Sequence, residues 1–123
     1  MSHLPETGGS IVNISSGASI NPGPNSSLYG ATKSAVDALS KSFAKELANR
    51  KIRVNTVAPG ATETEGAHRI GVMGGDMEKY FVSITPLGRM GQPDDVAKVV
   101  VFLVSDAAGW ITGDRINASG GLL

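Results

Sequence analysis

The spacing of hydrophobic positions changes several times along the chain, and each change marks an element. Residues 10–15, Ser-Ile-Val-Asn-Ile-Ser, lie between Gly8-Gly9 and Gly17 and predict a short strand. Residues 16–26, rich in Ser, Gly, Pro and Asn, predict a loop. From 27 to 50, apolar residues recur at three- and four-residue steps, which predicts a long helix. Its buried stripe would be Leu28, Ala31, Ala35, Leu39, Phe43 and Leu47, with Asp37, Lys41, Lys45 and Arg50 on the wet face. Ser26 or Ser27 is expected to cap its start. Residues 52–58 predict a second strand, ended by Pro59-Gly60. Residues 61–92 carry six glycines and little periodicity, as expected of a lid or substrate loop, with a short helix around Asp76–Val82. Pro93, followed by Asp94 and Asp95, suits the first turn of another helix running to about Ser105. That helix is apolar nearly all round from Val96 to Val104, so burial on more than one side is expected, against a sheet and a partner subunit. Residues 114–118 predict a last strand before Gly120-Gly121.

Strand, long helix, strand is the pattern of a right-handed crossover in a parallel sheet, which places the chain in the α/β class. At 123 residues and 41% hydrophobic, residues 1–123 suffice for one domain with a sizeable core. Eleven cationic and eleven acidic side chains cancel, which argues against a nucleic-acid partner. The absence of cysteine excludes disulfides, thiolate metal sites and a cysteine nucleophile. The longest apolar run, Val99 to Val104, is far short of the ~18 residues of a membrane span. The N-terminus lacks the basic start and apolar stretch of a secretory leader, so a cytoplasmic location is expected.

Candidate chemistry lies at the start of the long helix. Tyr29 and Lys33 are four apart and therefore adjacent on one helix face. An ammonium beside a phenol favours the phenolate and lowers its pKa from ~10. Such a phenol can give or take a proton at a carbonyl or alcohol oxygen. Taken alone, the pair more often means a packed ring beside a solvated amine. Ser16, however, follows the carboxyl end of the first strand, where open parallel sheets bind ligands. Pro59-Gly60 ends the neighbouring strand at the same edge, and Thr62 and Thr64 follow.

In this order and spacing the motifs closely resemble those of the short-chain dehydrogenase/reductase family. Ile11-Val12-Asn13-Ile14-Ser15-Ser16 is similar to its strand ending in the catalytic serine, and Tyr29-Gly30-Ala31-Thr32-Lys33 to its Tyr-x-x-x-Lys motif. Ile52 to Gly60 resembles the strand ending in its Pro-Gly turn. Pro86-Leu87-Gly88-Arg89, Pro93 to Ala97, Phe102-Leu103, Ile111-Thr112-Gly113 and Gly120-Gly121 resemble its later landmarks. The resemblance implies hydride transfer between NAD or NADP and a small carbonyl or alcohol substrate. It makes Tyr29 the general acid/base, Lys33 the group that binds the nicotinamide ribose and tunes Tyr29, and Ser16 the group that polarises the carbonyl. It also places the backbone of Pro59, Gly60 and Thr62, with the Thr64 side chain, against the nicotinamide end, and the loop from Glu65 to Ile84 over substrate.

Family members are about twice as long, and their glycine-rich pyrophosphate turn is not found among the 16 glycines here. The cluster Gly71, Gly74 and Gly75 lies in the lid rather than after a strand. The chain thus reads as the C-terminal half of a Rossmann-like, doubly wound parallel sheet, expected to be inactive alone. Its first strand is expected to show an open edge, and the chain is expected to form a homo-oligomer. The alternative is a non-enzymatic truncated remnant or interaction module that self-associates or pairs with another chain. A hydrolase built on Ser16 and His68 is disfavoured, because no Gly-x-Ser-x-Gly elbow surrounds Ser16. Two isolated histidines are likewise a poor metal site. Trp110 is expected to pack rather than bind ligand.

Overall fold

The computed structural model describes residues 3–123. Met1 and Ser2, part of the stretch read for a leader, lie outside the described residues. Three strands, β1 (Gly9–Ile14), β2 (Ile52–Pro59) and β3 (Arg115–Ala118), form one parallel sheet in the order β1-β2-β3. In register, Asn13 lies beside Thr56 and Thr56 beside Arg115. The α1 helix (Ser27–Glu46) connects β1 to β2, so the expected parallel crossover is present. Between β2 and β3 come α2 (Glu65–Arg69), α3 (Asp76–Ile84) and α4 (Pro93–Val104). Among the described residues no helix is long and apolar enough to cross a membrane.

The sheet is buried through β2, where Val54, Val57 and Ala58 are inaccessible to solvent. On one face, Ala44 of α1 and Leu47 just after it pack with Ile52 and Val54, flanked by Leu4, Ile11 and Phe43. On the other, Leu103 of α4 packs with Val57 and Ala108, flanked by Val96, Val99, Val100 and Ile116. Alternate β2 side chains therefore serve opposite layers, as a two-residue strand period requires. Arg53 points into the α4 layer. Its guanidinium donates to the carbonyls of Leu103 (2.8 Å) and Ser105 (3.1 Å) and so satisfies the C-terminal end of α4.

Several boundaries and faces depart from the sequence reading. The long helix stops at Glu46, and a 3-10 turn at Ala48–Arg50 with Lys51 in the left-handed region (φ 57°) reverses the chain into β2. Ser26 holds the N-cap position, yet its hydroxyl donates backwards to the Gly23 carbonyl (2.6 Å) instead of capping. The lid segment holds two helices, because Thr64 caps a second one, α2, by accepting from the Ala67 N–H (3.1 Å). The α4 helix is buried on one side only in this chain, with Val101, Phe102 and Val104 exposed. Trp110, expected to pack, is fully exposed, since no described element passes over it.

The largest correction concerns α1. Leu28, Ala31, Ala35 and Leu39 face solvent, whereas Gly30, Lys33, Asp37, Ser40, Ala44 and Leu47 face the protein. A four-residue step overshoots the 3.6-residue turn by roughly 40°, so a stripe built on fours drifts round the helix. Only Phe43 and Leu47, at its end, reach the core. Asp37, expected on the wet face, is largely covered and paired with Arg115.

Candidate active site

The carboxyl ends of β1 and β2 and the first turns of α1 meet at one edge of the sheet. Ser15 N donates to the Val57 carbonyl (2.8 Å), which continues the β1–β2 ladder by one residue. Ser16 follows in extended conformation, and its hydroxyl accepts from the Ala18 N–H (3.2 Å), capping a 3-10 turn at Gly17–Ser19. Its hydroxyl proton remains to be donated, which is the bond a carbonyl oxygen would accept.

Two contacts draw α1 onto this turn. Ser34 Oγ reaches the Ser19 carbonyl (2.5 Å). Gly30 lies so close that a Cβ there would stand 2.8 Å from the Ala18 carbonyl oxygen and 3.0 Å from Pro22. A glycine is thus required one residue after Tyr29, for approach rather than for its dihedral freedom.

Lys33 lies between Tyr29 and β1. Its Nζ donates to the Ile14 carbonyl (3.0 Å) and stands 5.8 Å from the centroid of the Tyr29 ring. The predicted adjacency of the two side chains is therefore present, with an anchor the sequence did not reveal. One of three ammonium donors is used, leaving two for a ligand. Tyr29 is 51% exposed, so its phenol lies open at the sheet edge.

Pro59 and Gly60 end β2 at the same edge. Gly60 N donates to the Ala118 carbonyl (3.1 Å), and a Cβ at Gly60 would come within 2.9 Å of Ser119 Cα. Thr62 Oγ1 donates to the Gly60 carbonyl (3.0 Å), and Thr62 pairs with Gly91 in a single bridge. The Thr64 hydroxyl accepts at the start of α2. Both threonine side chains thus shape the turn after β2. The edge residues suit the nicotinamide–ribose end of a dinucleotide: a lysine with donors to spare, an open phenol and a side-chain-free turn.

The glycine cluster in the lid offers no phosphate cradle. Gly74 N at the start of α3 already donates to Glu78 Oε2 (2.6 Å), which puts a carboxylate where a phosphate would sit. His68 pairs with Glu63 (3.0 Å) rather than Ser16, which removes the hydrolase reading. Gln92 holds the other Glu63 oxygen (2.8 Å), and both bonds keep the Glu63 carboxyl below its usual range, Gln92 contributing most. A cleft of about 470 Å³ lies beside the end of β3, lined by residues such as Thr85, Leu87, Asn117 and Gly121; Ser16, Tyr29 and Lys33 do not line it.

Residues 1–123 match the family model described as enoyl-(acyl carrier protein) reductase. An uncharacterised oxidoreductase of Methylorubrum extorquens is 57% identical over 120 residues, covering 98% of this chain and 48% of the relative. A short-chain type dehydrogenase/reductase from Mycobacterium ulcerans superposes with a TM-score of 0.89 at 41% identity, covering 94% of this chain and 42% of that one.

The chain belongs to the short-chain dehydrogenase/reductase family.

Its α/β fold with a parallel sheet is the Rossmann-like fold of that family. A 7α-hydroxysteroid dehydrogenase solved with NADH and 7-oxo glycochenodeoxycholic acid matches with a TM-score of 0.88 at 37% identity, over 94% of this chain and 44% of that one. The chain spans about half the length of the curated relatives it matches. Sequence reasoning missed two contributors to the site of this dehydrogenase/reductase chain: the Ile14 carbonyl, which carries no side-chain signal, and Arg115, whose partner is 78 residues away.

Proposed function

We propose that this chain carries the proton-transfer half of an oxidoreductase acting on a small carbonyl or alcohol with NAD or NADP. The observation that carries the reading is the open Tyr29 phenol with Lys33 Nζ beside its ring, held on the last carbonyl of β1. A bound nicotinamide dinucleotide would supply the hydride. Tyr29 gives the proton to the substrate oxygen in reduction and takes it in oxidation. Lys33 holds ribose hydroxyls with the ammonium donors left free by its bond to the Ile14 carbonyl. Ser16 donates to the substrate oxygen and so withdraws charge from the carbonyl carbon. The turn at Pro59, Gly60, Thr62 and Thr64 meets the nicotinamide end, and α2 and α3 cover substrate.

The dinucleotide's pyrophosphate has no cradle among the residues described. The 123-residue chain alone is therefore expected to bind NADH and NADPH only in the millimolar range, near −4 kcal/mol, and to lack turnover. A micromolar constant from fluorescence titration would overturn that expectation. Joined to the first half of the Methylorubrum relative, the chain should reduce carbonyl compounds. In that chimera Tyr29→Phe, which retains the ring, should lower turnover about 10²–10⁴-fold with unchanged circular dichroism. Full activity of Tyr29→Phe would return the tyrosine to the role of a packed helix residue.

Self-association is proposed on a separate observation, the solvent-facing stripe Leu28, Ala31, Ala35 and Leu39. Small residues between two leucines allow a helix of a second copy to approach closely, and burying the stripe removes apolar area from water.

A further inference from the structure

We propose that Arg115 is a positioning residue for Ser16. This rests on the reading of Ser16 as the group that polarises the substrate oxygen. Arg115 opens β3, two strands away from the serine, and its register partner is Thr56. Its guanidinium crosses beneath α1 and ties three elements together. Nε donates to Asp37 Oδ2 on α1 (3.1 Å). Nη2 donates to the Ser16 carbonyl (3.0 Å) and to Ser19 Oγ (3.2 Å), while Nη1 donates to Asn117 Oδ1. The Arg115 and Asp37 side chains are only 12% and 14% exposed, so this pair is screened far less than the other ion pairs described.

The geometry explains why one side chain can set the direction of a hydroxyl it does not touch. The 3-10 turn after β1 is held at both ends, by Ser16 and Ser19, from the same guanidinium nitrogen. Within that turn Ser16 Oγ accepts from Ala18 N–H, so fixing the turn fixes the hydroxyl. Asp37 in turn fixes the guanidinium plane. Its second oxygen, Oδ1, is buried without a hydrogen-bond partner, which leaves Arg115 as the side chain that compensates its charge. A lysine could retain the charge but lacks the planar fork needed to hold Asp37 and the turn together.

The test combines exchange and kinetics. In the full 123-residue chain, Arg115→Lys should speed amide exchange at Ala18, Ser19 and Ile20 at least 10-fold and leave α4 amides unchanged. In the chimera with the relative's first half, Arg115→Lys should lower kcat at least 10-fold with the cofactor KM within twofold. In a Ser16→Ala background the same substitution should cost no further kcat, since the hydroxyl it positions is gone. The paired substitution Asp37→Leu with Arg115→Leu removes both charges, so it tests the turn without stranding a buried carboxylate. It should reproduce the kcat loss while retaining the fold. If Ser16→Ala lowers kcat but Arg115→Lys and the leucine pair do not, Arg115 is only a structural ion-pair partner. If Ser16→Ala itself leaves kcat unchanged, the serine's assigned role is what fails.

Discussion

The two helices that cover the sheet solve the same problem in opposite ways. On one face α4 presses valines and Leu103 onto β2, and Leu103 is wholly buried. On the other, α1 turns polar groups inward as far along as Ser40. Asn13 Nδ2 donates to Ser40 Oγ (2.8 Å), Thr56 is buried beside them, and Arg115 meets Asp37. Only the end of α1 and the residue after it make an apolar layer, through Ala44 and Leu47. Methyl packing is non-directional and stabilises by area. Hydrogen bonds are directional, and a layer of them holds the helix start and the turn after β1 in one arrangement. The α4 layer is thus the stabilising one, and the α1 layer holds the groups assigned to chemistry.

That contrast can be broken from either side. The largest expected stability effect is Leu103→Ala, which should cost about 2–5 kcal/mol, because the space it vacates is closed on all sides. Denaturant midpoints of the 123-residue chain measure it, and a loss below about 1 kcal/mol would mean that α4 does not carry the core. Next comes Gly30→Ala in α1. The added methyl meets backbone at 2.8 Å, so a cost of about 1–3 kcal/mol from overpacking is expected, against about 1 kcal/mol of gained helix propensity. Its clearer signature is faster amide exchange in the turn Gly17–Ser19, with α4 unaffected.

A smaller, pH-dependent effect sharpens the comparison at the start of α4. Asp95 accepts from both Arg89 guanidinium nitrogens (2.6 and 3.0 Å) and from Gln92 N–H (2.8 Å). The Arg89 bonds first, and the backbone bond second, bring its carboxyl down to about 2. A depressed folded-state pKa stabilises the fold above the ordinary value of ~3.9 and loses that contribution as pH falls towards 2. The thermal midpoint of Asp95→Asn should therefore lie below that of the parent near neutral pH, and the two should converge as pH falls through that window. A gap that stayed constant with acidification would assign the effect to something other than the carboxylate. The smallest effect on folding is expected on the outer face of α1. Leu28→Gln with Leu39→Gln should change monomer stability by no more than about 0.5 kcal/mol per site, yet lower the mass seen by light scattering. An unchanged mass would remove this stripe as the self-association surface.

The candidate site was partly legible in the chain. Tyr29 and Lys33 meet because helical spacing is local, and Ser16 follows a strand whose end was marked by its neighbours. The inward face of α1 was not legible. Residues Gly30, Lys33, Asp37 and Ser40 follow the helical period as well as the leucines do, but their partners lie on β1, β3 and the turn between β1 and α1. Apolarity alone assigned the stripe to the wrong side, because it assumes that the covered side of a helix is its most hydrophobic one.

By itself the sequence determined what rests on short-range chemistry: three strand segments, the order strand–helix–strand, Pro93 opening α4 and the Tyr29–Lys33 pairing. These follow from backbone propensity, steric limits and the helical repeat, all acting within a few residues. The tertiary structure alone decided which face of α1 is covered, that Arg53 closes the end of α4, and that Arg115 spans from β3 to Asp37 and Ser16. The two arginine contacts join groups at least 50 residues apart in sequence, and polar groups so far apart are paired only when the packed layers bring them within hydrogen-bond reach.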